Sequence, residues 1–183
     1  MSGFDRRTLL AVLAALPAGA LATPAAATGS VHDFDWFVGS WRVEHRRLRQ
    51  RFVGSQDWEL FHGTTTCQAL LGGVVNLNES QGRRESGEFR GMGLRAYDAK
   101  ADRWCDWYLS AGDPTNLGDP GVGRFEGKVG TFLSEEEIGG IATKVRGRFT
   151  SISAGEATWE QAMSRDGGKT WEINWVMRYV KAA

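Results

Sequence analysis

Three carboxylates lie close enough to aromatic residues to act as acids or bases in an aromatic-lined site. Asp106 lies two residues after Trp104, and Glu160 and Glu172 each directly follow a tryptophan. Burial among aromatic side chains raises the pKa of a carboxylic acid, so that it can exchange protons near neutral pH. Glu160 and Glu172 are therefore the candidate general bases if the protein is an isomerase, a cyclase or a lyase.

The last alternating segment, residues 171–180, separates aromatic from polar side chains. Successive residues of a β-strand point to opposite faces. One face of this segment carries Trp171, Ile173, Trp175 and Met177. The other face carries Glu172, Asn174, Val176 and Arg178. This periodicity defines two faces, but it does not say which of them points into the protein.

Each orientation of that segment predicts a different binding site. With the polar face inward, Glu160 or Glu172 together with Arg95 and Arg178 would form a charged floor that fixes a carboxylate or a phenolate. With the aromatic face inward, tryptophan and methionine side chains would form a slot for an apolar ligand. A third alternative is a filled core with ion pairs on its surface. The candidate ligand-binding residues are Trp58, Arg95, Trp107, Tyr108, Trp175 and Met177.

The histidines and cysteines give little support to metal, haem or nucleophile chemistry. His45 and His62 lie on neighbouring predicted strands and could meet, but the sequence offers them no third fixed ligand. No histidine follows His62, and the chain has no recognisable Ser-His-Asp or Cys-His set. Cys67 and Cys105 form either a disulfide or two small buried side chains. We expect neither a metal nor a cofactor.

Residues 164–171 match a complete hairpin motif, S-x-D-x-G-x-T-W. The motif resembles the Asp-box of sialidase propellers, which carry several copies of it, whereas this chain has one. Its chemistry is local, because the carboxylate of Asp166 and nearby hydroxyls satisfy loop amides while Trp171 packs under the turn. We therefore expect structural roles for Asp166 and Trp171, and no glycosidase activity.

The elements that must hold these residues are short strands separated by glycine, asparagine, aspartate or proline clusters. A helical turn is predicted at 32–38. The predicted strands are 41–49, 58–69, 74–81, 89–97, 104–110, 123–125, 129–134, 141–149, 158–164 and 171–180. Strands with short connections pair antiparallel, and a meander of them avoids exposed edges by closing into a barrel.

The predicted fold is therefore all-β: a single antiparallel meander β-barrel of about 8–10 strands with a short N-terminal helical turn. A β-sandwich is the alternative. A barrel of eight or more strands has room for one small ligand. The segment 112–120, with its two prolines, is either a lid or an ordinary surface turn.

The start of the first strand, Gly39-Ser40-Trp41, resembles the G-x-W motif of the calycins, the group of lipocalin and fatty-acid-binding-protein barrels. In that group the indole plugs the closed end of the barrel and is covered by an arginine near the end of the last strand. The resemblance thus implies structural roles for Trp41 and for Arg178, the matching arginine here. A cation over an indole face contributes ~1 kcal/mol.

The second half of the chain is similar to an uncharacterised bacterial family, the domain of unknown function numbered 1579, which is placed near the calycins. The similar segments are 91–98, 122–127 and 159–177, and together with 34–41 they cover most of the chain after residue 27. Members commonly carry Pro-Pro before the second of these segments, where this chain has Asp119-Pro120-Gly121. The resemblance implies the fold and no activity.

Residues 1–27 have the pattern of an export signal. Arg6 and Arg7 precede an apolar run that extends to about Thr23 and is followed by small residues up to Ala27. The paired arginines resemble a twin-arginine (Tat) signal. Because the apolar run is shorter than the ~20 residues that span a bilayer, we expect cleavage near Ala27. One domain at 28–183 and a periplasmic or secreted location follow.

The composition places the chain among ordinary globular proteins and argues against nucleic acid as a partner. Its 183 residues include 22 basic and 22 acidic ones, so that no basic surface is available for phosphates. We expect an exported protein that binds a small hydrophobic or amphipathic molecule inside a β-barrel, with no stable membrane span in the mature form. The alternatives are an enzyme on the same barrel and a filled barrel with a structural or protein-interaction role.

Overall fold

The computed structural model describes residues 29–182, so the predicted export signal at 1–27 lies outside the described residues. A short 3-10 turn, Asp35–Phe37, precedes ten strands. They are β1 (Gly39–Leu48), β2 (Trp58–Leu70), β3 (Val75–Arg84), β4 (Gly87–Asp98), β5 (Arg103–Ser110), β6 (Gly121–Glu126), β7 (Val129–Ile138), β8 (Ile141–Ser153), β9 (Glu156–Ser164) and β10 (Glu172–Lys181).

The ten strands form one closed antiparallel barrel in which every strand pairs with its neighbours in sequence. Closure comes from β1, which pairs with β2 on one side and with β10 on the other, for example through Val43 and Tyr179. The predicted all-β meander barrel with a short N-terminal helical turn is confirmed, and the sandwich alternative is wrong. The main differences in bounds are the longer β7 and β8, which extend to Ile138 and Ser153.

Alternation along the strands decides which side chains enter the barrel. In β1 Trp41, Val43 and His45 are buried and the residues between them are exposed, whereas Leu48 at the end of the strand is buried with the opposite parity. Paired residues of adjacent strands point to the same face of the sheet. The pairing of each strand with its neighbours therefore determines which of its side chains enter the barrel. The interior that these side chains form has two distinct halves.

The half of the interior next to the N-terminal segment is filled with aromatic rings, which we call the aromatic plug. Its members are fully or almost fully buried: Phe34, Phe37, Trp41, Trp104, Phe125, Phe132 and Phe149. The segment 29–38 crosses this closed end and accepts hydrogen bonds from the N–H groups of two indoles. Nε1 of Trp41 donates to the carbonyl of Phe37 at 2.7 Å, and Nε1 of Trp104 donates to the carboxylate of Asp33 at 3.1 Å.

The prediction that Arg178 covers Trp41 is wrong. Nζ of Lys181 lies 4.6 Å from the centre of the indole ring and donates to the carbonyl of Val38 at 2.6 Å. Arg178 is exposed and pairs with Glu156 at 3.3 Å. The reason is strand phase, because Lys181 shares the inward parity of Met177 and Tyr179, whereas Arg178 has the opposite parity.

A β-bulge in β10 changes the phase of that strand between Ile173 and Trp175. Asn174 becomes an extra residue in the pairing with β9, and its side chain is buried. Trp175 and Met177 therefore point inward while Ile173 is 41% exposed. The prediction that all four aromatic and apolar residues of 171–177 share one face is wrong, since a bulge moves one strand by one residue relative to its partner.

The connection between β9 and β10 is a tight hairpin held by Asp166. The carboxylate of Asp166 accepts hydrogen bonds from the backbone N–H groups of Lys169 and Thr170 and from the Thr170 and Ser164 hydroxyls. These bonds hold the pKa of Asp166 well below its ordinary value. Nε1 of Trp171 donates to the carbonyl of Gly168, which has a φ of +95°.

The two cysteines are free and lie on different strands of the wall. Cys67 of β2 is buried, and Cys105 of β5 is partly buried. Because β3 and β4 separate β2 from β5 and adjacent strands lie ~4.8 Å apart, the distance is too large for a disulfide.

Within residues 29–182 no helix has the length and apolar character needed to cross a membrane.

Candidate functional site

The half of the barrel opposite the aromatic plug contains a cavity of about 680 Å³. Side chains from β1, β3, β4, β5 and β7 to β10 line it, together with residues of the connections after β1 and β5. The cavity is reached from the open end, where the β1–β2 connection (49–57) and the β5–β6 connection (111–120) cross the barrel. Its lining divides into an apolar wall, a polar floor and two charged rims.

The apolar wall consists of Trp159, Met163, Trp175 and Met177 on β9 and β10. The indoles of Trp159 and Trp175 meet edge to face with their ring centres 5.6 Å apart. Trp175 and Met177 share this face by ordinary alternation, whereas the bulge before Trp175 puts Ile173 on the opposite face. Large aromatic and thioether side chains of this kind provide contact area for an apolar ligand.

The polar floor consists of Asn76, Asn78, Arg95 and Asp106. Nη1 of Arg95 donates to the side-chain oxygens of Asn76 and Asn78 at 3.0 and 2.8 Å. Nε of Arg95 lies 3.2 Å from Oδ1 of Asp106 but is not aligned for a hydrogen bond with it. The guanidinium also lies over the ring of Phe149, which belongs to the aromatic plug, at 4.9 Å.

Burial and the neighbouring Arg95 guanidinium have opposite effects on the pKa of Asp106. Burial raises the pKa of the Asp106 carboxyl above its ordinary value, and the nearby Arg95 guanidinium opposes that rise. The Asp106 side chain keeps about a fifth of its surface accessible, 21%, against 6% for Arg95. The floor therefore offers a compensated ion pair that still has free donor and acceptor positions.

His45 lines the cavity next to the apolar wall. Its Nδ1 accepts a hydrogen bond from Nε1 of Trp175 at 3.3 Å, and its ring stacks on Phe61 with centres 4.4 Å apart. Burial, and then the positive charges of His62, Arg84 and Arg47, lower the pKa of His45 to about 4. The imidazole is neutral near neutral pH, and the bond from Trp175 requires its proton to be on Nε2.

Arginines on one side of the opening form a basic rim, defined here as Arg47, Arg51 and Arg84. The guanidinium of Arg47 lies 4.5 Å above the ring of Trp175, and Nη1 of Arg51 lies 3.5 Å from Sδ of Met163. Arg84 is held by the carboxylate of Glu59 at 2.8 Å. Burial, followed by Arg84 and Arg51, lowers the pKa of Arg47 to about 10, so the group stays charged at neutral pH.

Carboxylates on the other side of the opening form an acidic rim: Asp119, Glu135, Glu136 and Glu137. They flank a gap in the strand pairing, because β5 pairs with β6 through residues 104–106 alone. The connection 111–120 fills this gap, and its residues 116–119 line the cavity. The segment therefore contributes to the cavity lining, although its residues 111–119 are exposed.

Five of the six residues predicted to bind a ligand line the cavity: Arg95, Trp107, Tyr108, Trp175 and Met177. Trp107 lies between Asp106 and Tyr108 on β5 and is half-buried. Trp58 does not line the cavity, because it lies in the outward phase of β2 and stacks against exposed Arg46 at 4.3 Å. The residue pattern of β2 does not reveal which of its faces points inward, so the position of Trp58 was not predictable.

The two candidate general bases also lie away from the cavity. Glu160 pairs with Arg146 across the outer face of β8 and β9, with 3.7 Å between the charged groups. Both oxygens of Glu172 accept the backbone N–H of Phe52, which ties the β1–β2 connection to β10. Glu172 has the inward parity of its partner Met163, but the connection covers it. Neither Glu160 nor Glu172 lines the cavity, so a catalytic role for either one gains no support from the site and stays a prediction.

Sequence reasoning missed the residues that give the cavity its charge and its hydrogen bonds, above all His45, Arg47 and Arg51. A signal for two of them was present, since His45 and Arg47 continue the alternation that starts at Trp41 and Val43. Arg51 lies in a connection, where no periodicity predicts orientation.

Among residues 29–182, no group of three or more histidine, cysteine, aspartate or glutamate side chains is arranged to hold a metal ion.

Comparison with known proteins yields a structural likeness and no family. No protein-family model and no curated protein matches the chain. One of the similar solved structures is a redesigned β-barrel, mFAP0, bound to DFHBI. It shares 15% sequence identity with this chain and a TM-score of 0.44, over 80% of this chain and 99% of that one.

Proposed function

We propose that the protein binds a small amphipathic molecule inside the barrel. The observation that carries this proposal is the 680 Å³ cavity, whose apolar wall of Trp159, Met163, Trp175 and Met177 faces the polar floor around Arg95. Ligand cavities in proteins generally measure ~300–1,000 Å³ and combine apolar lining with a few placed polar groups. A filled structural barrel would have no such space.

The hydrogen-bonding state of the lining favours a ligand that is both apolar and polar. The wall offers edge-to-face indoles and thioethers, whereas the floor keeps free donors on Arg95 and free acceptors on Asp106. Buried polar groups without partners are costly, so a ligand that pairs with them gains more than a hydrocarbon of the same size. The enzyme alternative built on Glu160 or Glu172 has no support from this geometry.

We also propose that this binding takes place outside the cytoplasm. The support is the sequence pattern of 1–27, with Arg6 and Arg7 before the apolar run. Cysteines that lie on separate strands need no oxidative pairing after export, which is compatible with a protein that crosses the membrane folded. Membership of the uncharacterised calycin-like family stays a prediction from the similar segments.

Native mass spectrometry of the protein purified from its own host tests both proposals in one experiment. The expected chain mass is that of a protein starting near Thr28, and the expected complex carries a discrete extra mass that disappears on denaturation. Trp175→Ala should abolish or reduce the extra mass. Trp58→Ala is the matched control, because Trp58 lies outside the cavity and stacks on exposed Arg46, and this variant should retain the ligand.

Two outcomes would contradict these proposals. A chain mass that includes residues 1–27 argues against export and cleavage. A bare chain mass, combined with the failure of any small amphipathic probe to bind the purified protein, argues against ligand binding inside the barrel. Retention of the extra mass in Trp175→Ala and its loss in Trp58→Ala would move the site to the outer surface.

A further inference from the structure

The charge at the opening of the cavity identifies the chemical class of the ligand. Four arginines lie at or near the cavity: Arg47, Arg51, Arg84 and Arg95. Arg84 is neutralised by Glu59 and Arg95 by Asp106. Among the described residues no carboxylate lies within 4.0 Å of the guanidinium of Arg47 or of Arg51. Two partly buried cations thus share one rim without a counter-ion.

The carboxylate in the best position to pair with Arg47 is already in use. Glu59 is directly opposite Arg47 in the pairing of β1 with β2. Its Oε2 accepts from Nη2 of Arg84 at 2.8 Å, and its Oε1 accepts the backbone N–H of Glu85 at 2.9 Å. Glu59 is 4% exposed and therefore held in this arrangement. Arg47 and Arg51 remain close enough for each to oppose the charge of the other.

The position of Arg47 links this unneutralised charge to the apolar wall. Its guanidinium carbon lies 4.5 Å from the centre of the Trp175 ring, so the charge is held at the edge of the apolar wall. Arg51 reaches the same wall at Met163. A molecule whose apolar part packs on Trp175 and Met177 would therefore have its end next to both guanidinium groups.

The polar floor and the acidic rim each disfavour an anion, for different reasons. At the floor, Arg95 is paired with Asp106 and bonded to two asparagines, so a second carboxylate there would meet Asp106. On the far side of the opening, Asp119 and Glu135 to Glu137 repel an anion. At the basic rim the nearby carboxylate of Glu59 is already bound by Arg84, so a negative group would meet the charges of Arg47 and Arg51.

We propose that the ligand is an amphipathic organic anion whose carboxylate, sulfonate or phosphate group binds between Arg47 and Arg51 while its apolar part lies on the wall of Trp175 and Met177. This inference rests on the proposed function and adds the charge and the orientation of the ligand. Guanidinium groups suit such oxyanions because their planar N–H fork matches two oxygens at once.

The test uses two fluorescent probes that share one aromatic framework and differ in a sulfonate. 1-Anilinonaphthalene-8-sulfonate is anionic, and N-phenyl-1-naphthylamine is neutral. We expect the wild-type chain to bind the sulfonate more tightly, and Arg47→Met and Arg51→Met each to lower its affinity about tenfold, as for loss of a charge-assisted hydrogen bond. The affinity for the neutral amine should change less than about twofold, because methionine preserves the apolar contact of the arginine stem.

Arg46→Met is the matched control, since Arg46 is exposed, adjacent in sequence and stacked on Trp58 outside the barrel. It should leave both affinities unchanged. If a rim variant does not fold, salt provides an independent measurement on the wild-type chain. Raising the ionic strength should weaken binding of the sulfonate and leave binding of the amine nearly constant.

The outcomes separate this inference from the proposed function. Equal affinity of the wild-type chain for both probes, or equal loss in Arg46→Met and Arg47→Met, overturns the anionic ligand while binding inside the barrel stands. Failure of both probes to bind overturns both proposals. Displacement of the sulfonate by decanoate but not by decanol would extend the result to carboxylates, and displacement by both alike would contradict it.

Discussion

The two halves of the barrel interior are built by the same strands and differ in how they are filled. In the closed half, the ring of Phe34 lies 4.9 to 5.3 Å from the rings of Phe125, Trp104 and Phe149, all in edge-to-face contact. In the open half, aromatic rings line a cavity of about 680 Å³. Aromatic content alone therefore does not decide whether a barrel is solid.

The difference between the halves has two structural causes. The segment 29–38 enters the closed half and supplies Phe34 and Phe37, whereas the open half is crossed by connections that line the cavity without filling it. The inward face of β4 also carries glycine where the open half begins, next to Arg95, which lies over the aromatic plug. A Cβ at Gly93 would lie 2.5 Å from the side-chain oxygen of Asn78 and 2.9 Å from Nη2 of Arg95, so this glycine makes space for the polar floor.

The largest effect should come from removing one indole from each half. Trp41→Ala deletes a fully buried ring of the aromatic plug and should lower the free energy of unfolding by about 4 kcal/mol. Trp175→Ala removes a cavity-lining ring and should cost only about 1–2 kcal/mol, while weakening ligand binding. Urea unfolding measures the first effect and probe titration the second. Equal stability losses would mean that the open half is packed like the closed half.

The next effect is a loss of stability at low pH, which we expect from His45 in the open half. Its pKa in the folded chain is about 4 against 6.5 for an ordinary histidine. The unfolded chain therefore takes up a proton first as the pH falls, and stability that is complete above pH 6.5 is lost between 6.5 and 4, by about 3 kcal/mol.

Urea unfolding at pH 7 and pH 4.5 measures the contribution of His45. His45→Gln retains an acceptor for Trp175 without a titrating ring, and the difference between the two pH values should shrink in this variant. His62→Gln is the control, since His62 is exposed and should leave most of the difference intact. An unchanged difference in His45→Gln would assign the acid sensitivity to another group.

The smallest effect tests which cation covers the closed end. Lys181→Met removes the charge over Trp41 and the hydrogen bond to the Val38 carbonyl, and it should lower the free energy of unfolding by about 1 kcal/mol. Arg178→Met should change it by a few tenths, since exposed ion pairs contribute little. Thermal unfolding of the two variants side by side measures the difference, and the reverse order would restore Arg178 to the role that the sequence predicted.

The strands and the hairpin were predictable because they depend on local sequence. Alternation from Trp41 onward and glycine-rich turns set the strand positions, and the spacing from Ser164 to Trp171 set a turn whose bonds join residues at most four apart. The site was predictable in part. Five of the predicted residues line the cavity, namely Arg95, Trp107, Tyr108, Trp175 and Met177, but Trp58 and the two glutamates do not.

The sequence by itself determined an all-β meander and the two faces of each strand, since both follow from a period of two residues and short connections. Only the tertiary structure decided which face points inward, because that choice depends on how distant strands close the barrel. The pairing of β1 with β10 closes the barrel. It places Trp175 beside Arg47, although the two residues come from opposite ends of the chain. The cavity and its charged rim arise from that long-range pairing, which no local pattern contains.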